Sequence, residues 1–236
     1  ARYAAMVRLV DRWLGVLLDA MDDLGLWEDT MVVLTTDHGT FNGDHGRTGK
    51  FHGGTDTHNH EPVAHIPFLV AHPDYPGGQR RDQLVQLVDL YPTVLSALGR
   101  EVPPDRHGVD LEPAIADPSA DTREYAISGV FGGSVTITDG EWVLHQAPVA
   151  GNEPLYWYGL RGEHRDNVGP YEDGRRPVEE TYDKKGTWLT DLDADPTGRV
   201  NRADRNPGKL AELQDALREA LAAAGAPEEQ FDRLGL

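Results

Sequence analysis

The sequence predicts an α/β layered domain followed by a smaller subdomain made of an antiparallel sheet and a terminal helix. Three observations predict it. A helical apolar stripe runs directly into a β-rich apolar run. A second such run follows a long loop dominated by Gly, Asp and His. Beyond a Pro- and Asp-rich connector come short strand-like runs separated by glycine turns and closed by another helix.

The first helix is read from Val10, Trp13, Leu14, Leu17, Met21 and Leu24, which follow Met6 at three- and four-residue spacing, with Gly25 as its stop. Met31, Val32, Val33 and Leu34 are apolar at successive positions, so they read as a strand buried on both faces that ends at Thr35-Thr36. From 37 to 66 the periodicity disappears, which predicts a long loop with little regular structure; such loops are usually functional or disordered. Residues 66–71 read as a second buried strand, and 73–78 as a turn. Asp89 is placed to cap a helix running through Leu90, Val94, Leu95 and Leu98 to Gly99.

The stretch 103–118 reads as a connector and divides the chain into residues 1–115 and 116–236. Three strands at 125–130, 134–138 and 142–146, with Gly132-Gly133 and Asp139-Gly140 between them, form an expected antiparallel meander. Residues 147–186 show no usable pattern. The last helix opens at Pro207, aligns Leu210, Leu213, Leu217 and Leu221 on one face, and ends at Gly225.

Composition narrows the function classes. A formal charge of -18 repels nucleic acid and anionic membranes, and a solvated acidic surface is its simplest reading. No apolar run is long enough to span a bilayer. With no cysteine, the chain has no disulfide, no thiolate metal site and no Cys nucleophile. The first residues carry neither an initiator Met nor an apolar signal core, so the chain is expected to begin inside a domain.

In an open α/β sheet, ligands bind beyond the carboxyl ends of strands, which is where Asp37 and His38 fall. A carboxylate beside an imidazole can present two donors to one divalent cation. The dipeptide alone fits equally well a turn cap and a packed histidine. Its context decides the matter: Thr35-Thr36-Asp37-His38-Gly39, then Gly43-Asp44-His45-Gly46, then Gly49-Lys50, all within sixteen residues.

That pattern resembles the sulfatases of the alkaline phosphatase superfamily, in which a buried strand ends in a Ser/Thr-Asp-His/Asn-Gly metal motif followed by Gly-Glu-His-Gly and a lysine. Asp44 stands where the family has Glu. The resemblance extends over nearly the whole chain. It includes Val7, Asp11 and Gly15 on the first helix, His65-Ile66-Pro67, and Val88-Asp89-Leu90-Tyr91-Pro92-Thr93. It continues through Gly108-Val109-Asp110-Leu111, Leu192-Asp193-Ala194-Asp195-Pro196, and Arg233-Leu234-Gly235-Leu236.

The resemblance implies an alkaline-phosphatase-like α/β sandwich. Residues 1–115 would be the C-terminal portion of the sulfatase catalytic domain, and 116–236 a C-terminal subdomain with an antiparallel sheet and a terminal helix. It implies metal-dependent hydrolysis of a sulfate monoester on a small molecule or saccharide. Asp37 and His38 would hold a Ca2+ ion whose other ligands lie in an N-terminal half, and the histidine ligand leaves Mn2+ or Zn2+ open.

Lys50 matches the lysine that contacts the sulfate oxygens, and His45 matches a site-shaping histidine of the family. His52 belongs to a concentration of seven histidines between positions 38 and 72 that is expected to line a substrate pocket. His58-x-His60 as a second metal site is the weaker reading, because no carboxylate spacing completes it. The family's nucleophile is a formylglycine made in a Cys/Ser-x-Pro-x-Arg motif. None of Ser96, Ser119, Ser128 and Ser134 has Pro two residues later, so that group is expected in the missing N-terminal part. Two rivals remain: a phosphodiesterase or phosphonate monoester hydrolase of the same superfamily, and a catalytically inert fragment.

Overall fold

A computed structural model describes residues 2–49, 60–129, 132–158, 175–177 and 185–236. Helix α1 spans Arg2–Leu24 and ends at Gly25, whose φ of 65° is a left-handed conformation that glycine adopts without a Cβ clash. Strand β1 is Val32–Thr35, β2 is Phe41–Asn42 and β3 is Thr48–Gly49. Helix α2 is Glu61–Ala64, β4 is Phe68–Ala71, α3 is Leu90–Ala97 and α4 is Glu112–Ala116. Then come β5 (Ala126–Gly129), β6 (Val135–Thr138), β7 (Trp142–Gln146), β8 (Tyr156–Tyr158), β9 (Arg175–Pro177) and β10 (Trp188–Asp191). Helices α5 (Pro207–Ala223) and α6 (Glu228–Leu234) close the chain.

The chain divides into two compact units. The first comprises Ala1–Gly49 with His65–Arg123, and the second comprises Lys50–Ala64 with Glu124–Leu236.

In the first unit β1 and β4 pair antiparallel, with Leu34 directly opposite Leu69. The expectation that both strands are buried on both faces is corrected here. Leu34 is 40% and Leu69 55% exposed, because side chains alternate along a strand and the two leucines share a face that no described residue covers. The segment from 37 to 66 also holds more regular structure than expected. It contains the β2–β3 hairpin and α2, since pairing Phe41 with Gly49 satisfies backbone groups that an irregular loop would leave open.

Asp89 does more than cap a helix. A helical turn at Leu87–Asp89 precedes α3, and the Asp89 carboxylate reaches back to accept the Gln86 N–H at 2.7 Å as half of a capping box. Its other oxygen accepts the Val109 N–H at 2.9 Å and pairs with Arg123. Thr93 Oγ1 donates to the Asp89 carbonyl at 2.6 Å and accepts the Leu111 N–H at 3.0 Å. Gly108 lies so close that a Cβ there would sit 2.1 Å from the Val88 carbonyl oxygen. The Val-Asp-Leu-x-Pro-Thr and Gly-x-Asp-Leu motifs are thus two halves of one lock. Arg81 completes it by donating to the Ala114 and Ile115 carbonyls at the end of α4, at 2.8 and 2.9 Å.

The second unit is built on a four-stranded antiparallel sheet in the order β10-β7-β6-β5. The meander over β5, β6 and β7 is as the sequence predicts; β10, beyond the patternless stretch, adds a fourth strand. Ile127, Ile137, Leu144 and Leu189 are cross-strand neighbours in one row. Leu213, Leu217 and Leu221 of α5, with Leu234 of α6, pack on this face and bury it. The C-terminal motif is fastened as well. Arg233, 2% exposed, donates to the Gly133 carbonyl and to Asn152 Oδ1, each at 2.9 Å, while Gln146 donates to the Leu234 carbonyl at 2.8 Å.

Candidate metal centre

The strand β1 delivers Thr35, Thr36, Asp37 and His38 at its carboxyl end, where pairing stops and the backbone turns toward β2. Asp37 is mostly exposed and His38 half-buried. The His38 ring Nδ1 lies 2.8 Å from the Gly39 carbonyl oxygen. A carbonyl can only accept, so Nδ1 carries the proton and the Nε2 lone pair is left available for a metal. Nε2 in turn stands 3.4 Å from Asp37 Oδ2, so nitrogen and carboxylate oxygen face one region of space.

The carboxylate is braced from behind. Asp37 Oδ1 accepts the His38 N–H at 2.9 Å and the Thr36 hydroxyl at 3.3 Å. Desolvation pushes the Asp37 pKa upward, but the electrostatic pull of His38 and these hydrogen bonds outweigh it, and the net direction is downward. An ionised oxygen ligand beside an imidazole nitrogen suits a divalent cation. Among the described residues no group of three or more His, Cys, Asp or Glu side chains converges that could hold a metal ion by itself.

His45 lies in the turn Asp44–Gly46 with φ 52° and ψ 24°, a left-handed conformation that costs a non-glycine residue of order 1 kcal/mol or more. Its ring stands edge-on to the buried Phe41, with centroids 6.0 Å apart. Lys50 and His52 lie outside the described residues, as does His58.

Sequence reasoning missed the surroundings of His60. That residue is 2% exposed, and its ring meets His145 of β7 edge-on at 5.2 Å. His145 Nδ1 is 2.9 Å from the Thr136 hydroxyl, and Lys185 Nζ is 3.3 Å from His60 Nε2. In β6 the polar Thr136 and Thr138 alternate with Val135 and Ile137, but cross-strand register is needed to see that His145 and Thr136 meet.

A family model described as sulfatase matches residues 1–100. Arylsulfatase K of Xenopus laevis is 29% identical over 221 residues, covering 92% of this chain and 36% of that protein. The chain is similar to the sulfatase family. It spans just over a third of the length of that curated relative. A multifunctional alkaline phosphatase superfamily protein, PehA of Trinickia caryophylli, is 32% identical over 119 residues, covering 50% of this chain and 20% of that protein. Among solved structures, BT4656 in complex with its substrate D-glucosamine-2-N,6-O-disulfate superposes with a TM-score of 0.69 at 22% identity, covering 94% of this chain and 40% of that one. The fold is the alkaline-phosphatase-like α/β fold of the sulfatases, with mixed helices and antiparallel sheets that include one of four strands. Sulfatases generally use a metal ion, Ca2+, and a formylglycine. No described helix is long and apolar enough to cross a membrane.

Proposed function

We propose that this chain supplies the strand-end metal ligands and the anion-contacting lysine of a sulfuric ester hydrolase acting on the sulfate monoester of a small molecule or saccharide. The observation that carries this reading is the His38 ring, with Nδ1 turned to the Gly39 carbonyl and Nε2 left beside the Asp37 carboxylate. Asp37 and His38 hold the ion, with Ca2+ first and Mn2+ or Zn2+ as the alternatives that a nitrogen ligand admits. When bound, the ion neutralises charge on the sulfate oxygens.

Lys50 offers an ammonium to the sulfate oxygens, where charge develops as the ester bond breaks. His45 shapes the loop, and His52 takes part in substrate binding. Residues 1–115 serve as the C-terminal portion of the catalytic domain and 116–236 as its C-terminal subdomain. The formylglycine nucleophile and the remaining metal ligands belong to the part of the relatives that this chain does not match. By itself the 236-residue chain is then inert and binds metal weakly.

Turnover of an aryl sulfate by the protein with its sulfatase domain complete tests the reading. Asp37→Asn and Lys50→Ala are each expected to lower kcat by about 10²-fold or more, the scale of losing one charge-stabilising group. Unchanged turnover in both would refute the assignment. A second reading, hydrolysis of a phosphodiester or phosphonate monoester, is favoured by the match to the multifunctional PehA over half the chain. Parallel assays of aryl sulfate and aryl phosphodiester separate the two, and preference for the diester would favour the second.

A further inference from the structure

Asn42 ends β2, and Gly43 carries the chain from it into the turn toward β3; the sequence holds no other Asn-Gly pair. Both residues are exposed, and no described residue hydrogen-bonds the Asn42 side chain. Gly43 has a φ of 117°, and a Cβ built on it would meet nothing within 4 Å, so no side chain crowds its amide nitrogen. A free asparagine amide beside an uncrowded glycine nitrogen is a reactive pair.

The reaction needs only water. The Gly43 nitrogen gives its proton to solvent and bonds to the side-chain carbonyl carbon of Asn42. The C–N bond of the side-chain amide breaks, ammonia leaves, and a succinimide ring closes. Water then opens the ring at either carbonyl and leaves aspartate or isoaspartate at position 42.

One hydrogen bond restrains this step. The Gly43 N–H donates to the Arg47 carbonyl at 2.8 Å, which holds both the proton and the nitrogen. That bond closes a two-stranded hairpin of only two residue pairs, Phe41 with Gly49 and Asn42 with Thr48. A hairpin that short is marginally stable, and its turn already carries the left-handed His45. Local opening therefore releases the nitrogen without unfolding the rest of the chain.

Other residues of the same chain serve as controls. Asn152 is 3% exposed, donates to the Gly132 carbonyl and accepts from Arg233. Asn201 accepts the Leu189 and Ala203 N–H groups and donates to the Thr187 carbonyl. Asn206 precedes Pro207, whose nitrogen has no proton to lose. At Asp139-Gly140 the carboxylate accepts from Glu141 and Trp142 and pairs with Lys209, while the Gly140 N–H is bound to Thr138 Oγ1.

We propose that Asn42-Gly43 is a spontaneous modification site in the loop that carries Asp37 and His38, where opening of the β2–β3 hairpin lets Asn42 convert through a succinimide to aspartate and isoaspartate. The product puts a carboxylate in place of a neutral amide. Isoaspartate also adds a backbone atom at the Asn42–Thr48 pair, which shifts β2 against β3. The site is a property of the loop and holds whatever ester the protein acts on.

Ageing the full chain in warm, mildly alkaline buffer tests it. Trypsin releases residues 13–47 as one peptide with Asn42 as its sole asparagine and no glutamine, so an amide-to-acid mass gain there reports Asn42 alone. That peptide should convert about tenfold or more faster than the peptides carrying Asn152 and Asn201, whose amides are held away from attack. An isoaspartate-specific carboxyl methyltransferase should label it, and Asn42→Gln, a change at an exposed side chain, should remove both the mass gain and the label from it. Urea below the unfolding transition should speed the conversion. An unconverted peptide 13–47, or equal conversion at Asn152 and Asn201, overturns the proposal. So does a rate that urea leaves unchanged, since the hairpin would then not gate the step.

Discussion

The two units handle apolar surface in opposite ways. In the second, the row Ile127, Ile137, Leu144 and Leu189 is closed by Leu213, Leu217, Leu221 and Leu234, several of which are fully buried. In the first, α1 leaves Met6, Val10, Trp13, Leu17 and Leu24 exposed, and the β1–β4 pair leaves Leu34 and Leu69 exposed. What holds the first unit together is largely polar: the Asp89, Thr93, Arg123 and Gly108 lock. The exposed apolar side chains of α1 and the β1–β4 pair contrast with the closed face of the second unit.

The largest expected effect breaks the polar side of this contrast. Asp89→Ala removes the acceptor for Arg123, Val109 N–H and Gln86 N–H in a fully buried setting, and should cost about 3–5 kcal/mol, the penalty for leaving a buried charge unpaired. Urea unfolding followed by hydrogen exchange should place the loss in the first unit, while the C-terminal sheet keeps its protection. Equal loss in both would show that the units unfold as one.

A somewhat smaller effect probes the apolar side. Leu213→Ala empties a site that is 0% exposed and should cost the second unit about 3 kcal/mol. The matched truncation Leu17→Ala, on the open face of α1, should change the stability of this chain by about 0.5 kcal/mol or less. Comparable losses at the two positions, read from denaturation midpoints, would mean that α1 is covered in solution.

The smallest effect is electrostatic. Lys209 Nζ lies 2.7 Å from Asp139 and 2.6 Å from Glu212, at the edge where α5 meets the β6–β7 turn. Burial alone would raise Asp139 and lower Lys209, but their contact outweighs it, leaving Asp139 below 3.8 and Lys209 above 10.5. The carboxylate's contribution is present above pH about 4 and is lost as pH falls through its depressed pKa. The ammonium's contribution is present up to pH about 10.5 and is lost as pH rises through its elevated one. Asp139→Asn should therefore cost on the order of 1 kcal/mol between those limits and less outside them, as a thermal melt series against pH would show.

Much of this was legible in the chain. The stripe from Val10 to Leu24, the short runs and glycine turns of the β5 to β7 meander, and the stops at Gly25, Gly99 and Gly225 are local patterns. Asp37-His38 after an apolar strand is a local pattern too, and local patterns survive without knowledge of the fold. The motif around Asp89 was visible as a match, but its purpose was not. Its partners lie at Val109 and Arg123, 20 and 34 residues away. His60 was harder still, since its partners His145 and Lys185 are distant in sequence and nothing in spacing announces them.

By itself, then, the sequence determined the long helices α1, α3 and α5, the strands β1 and β4, the meander of β5 to β7, and which dipeptide stands at the strand end. Those depend on backbone propensity and on side-chain period, which each short segment carries within itself. Only the tertiary structure decided which face of each element is closed. It decided that Leu34 meets Leu69 in the open and that His60 is buried on the C-terminal sheet. Burial and pairing are properties of what the chain brings together from far apart, and no local pattern encodes them.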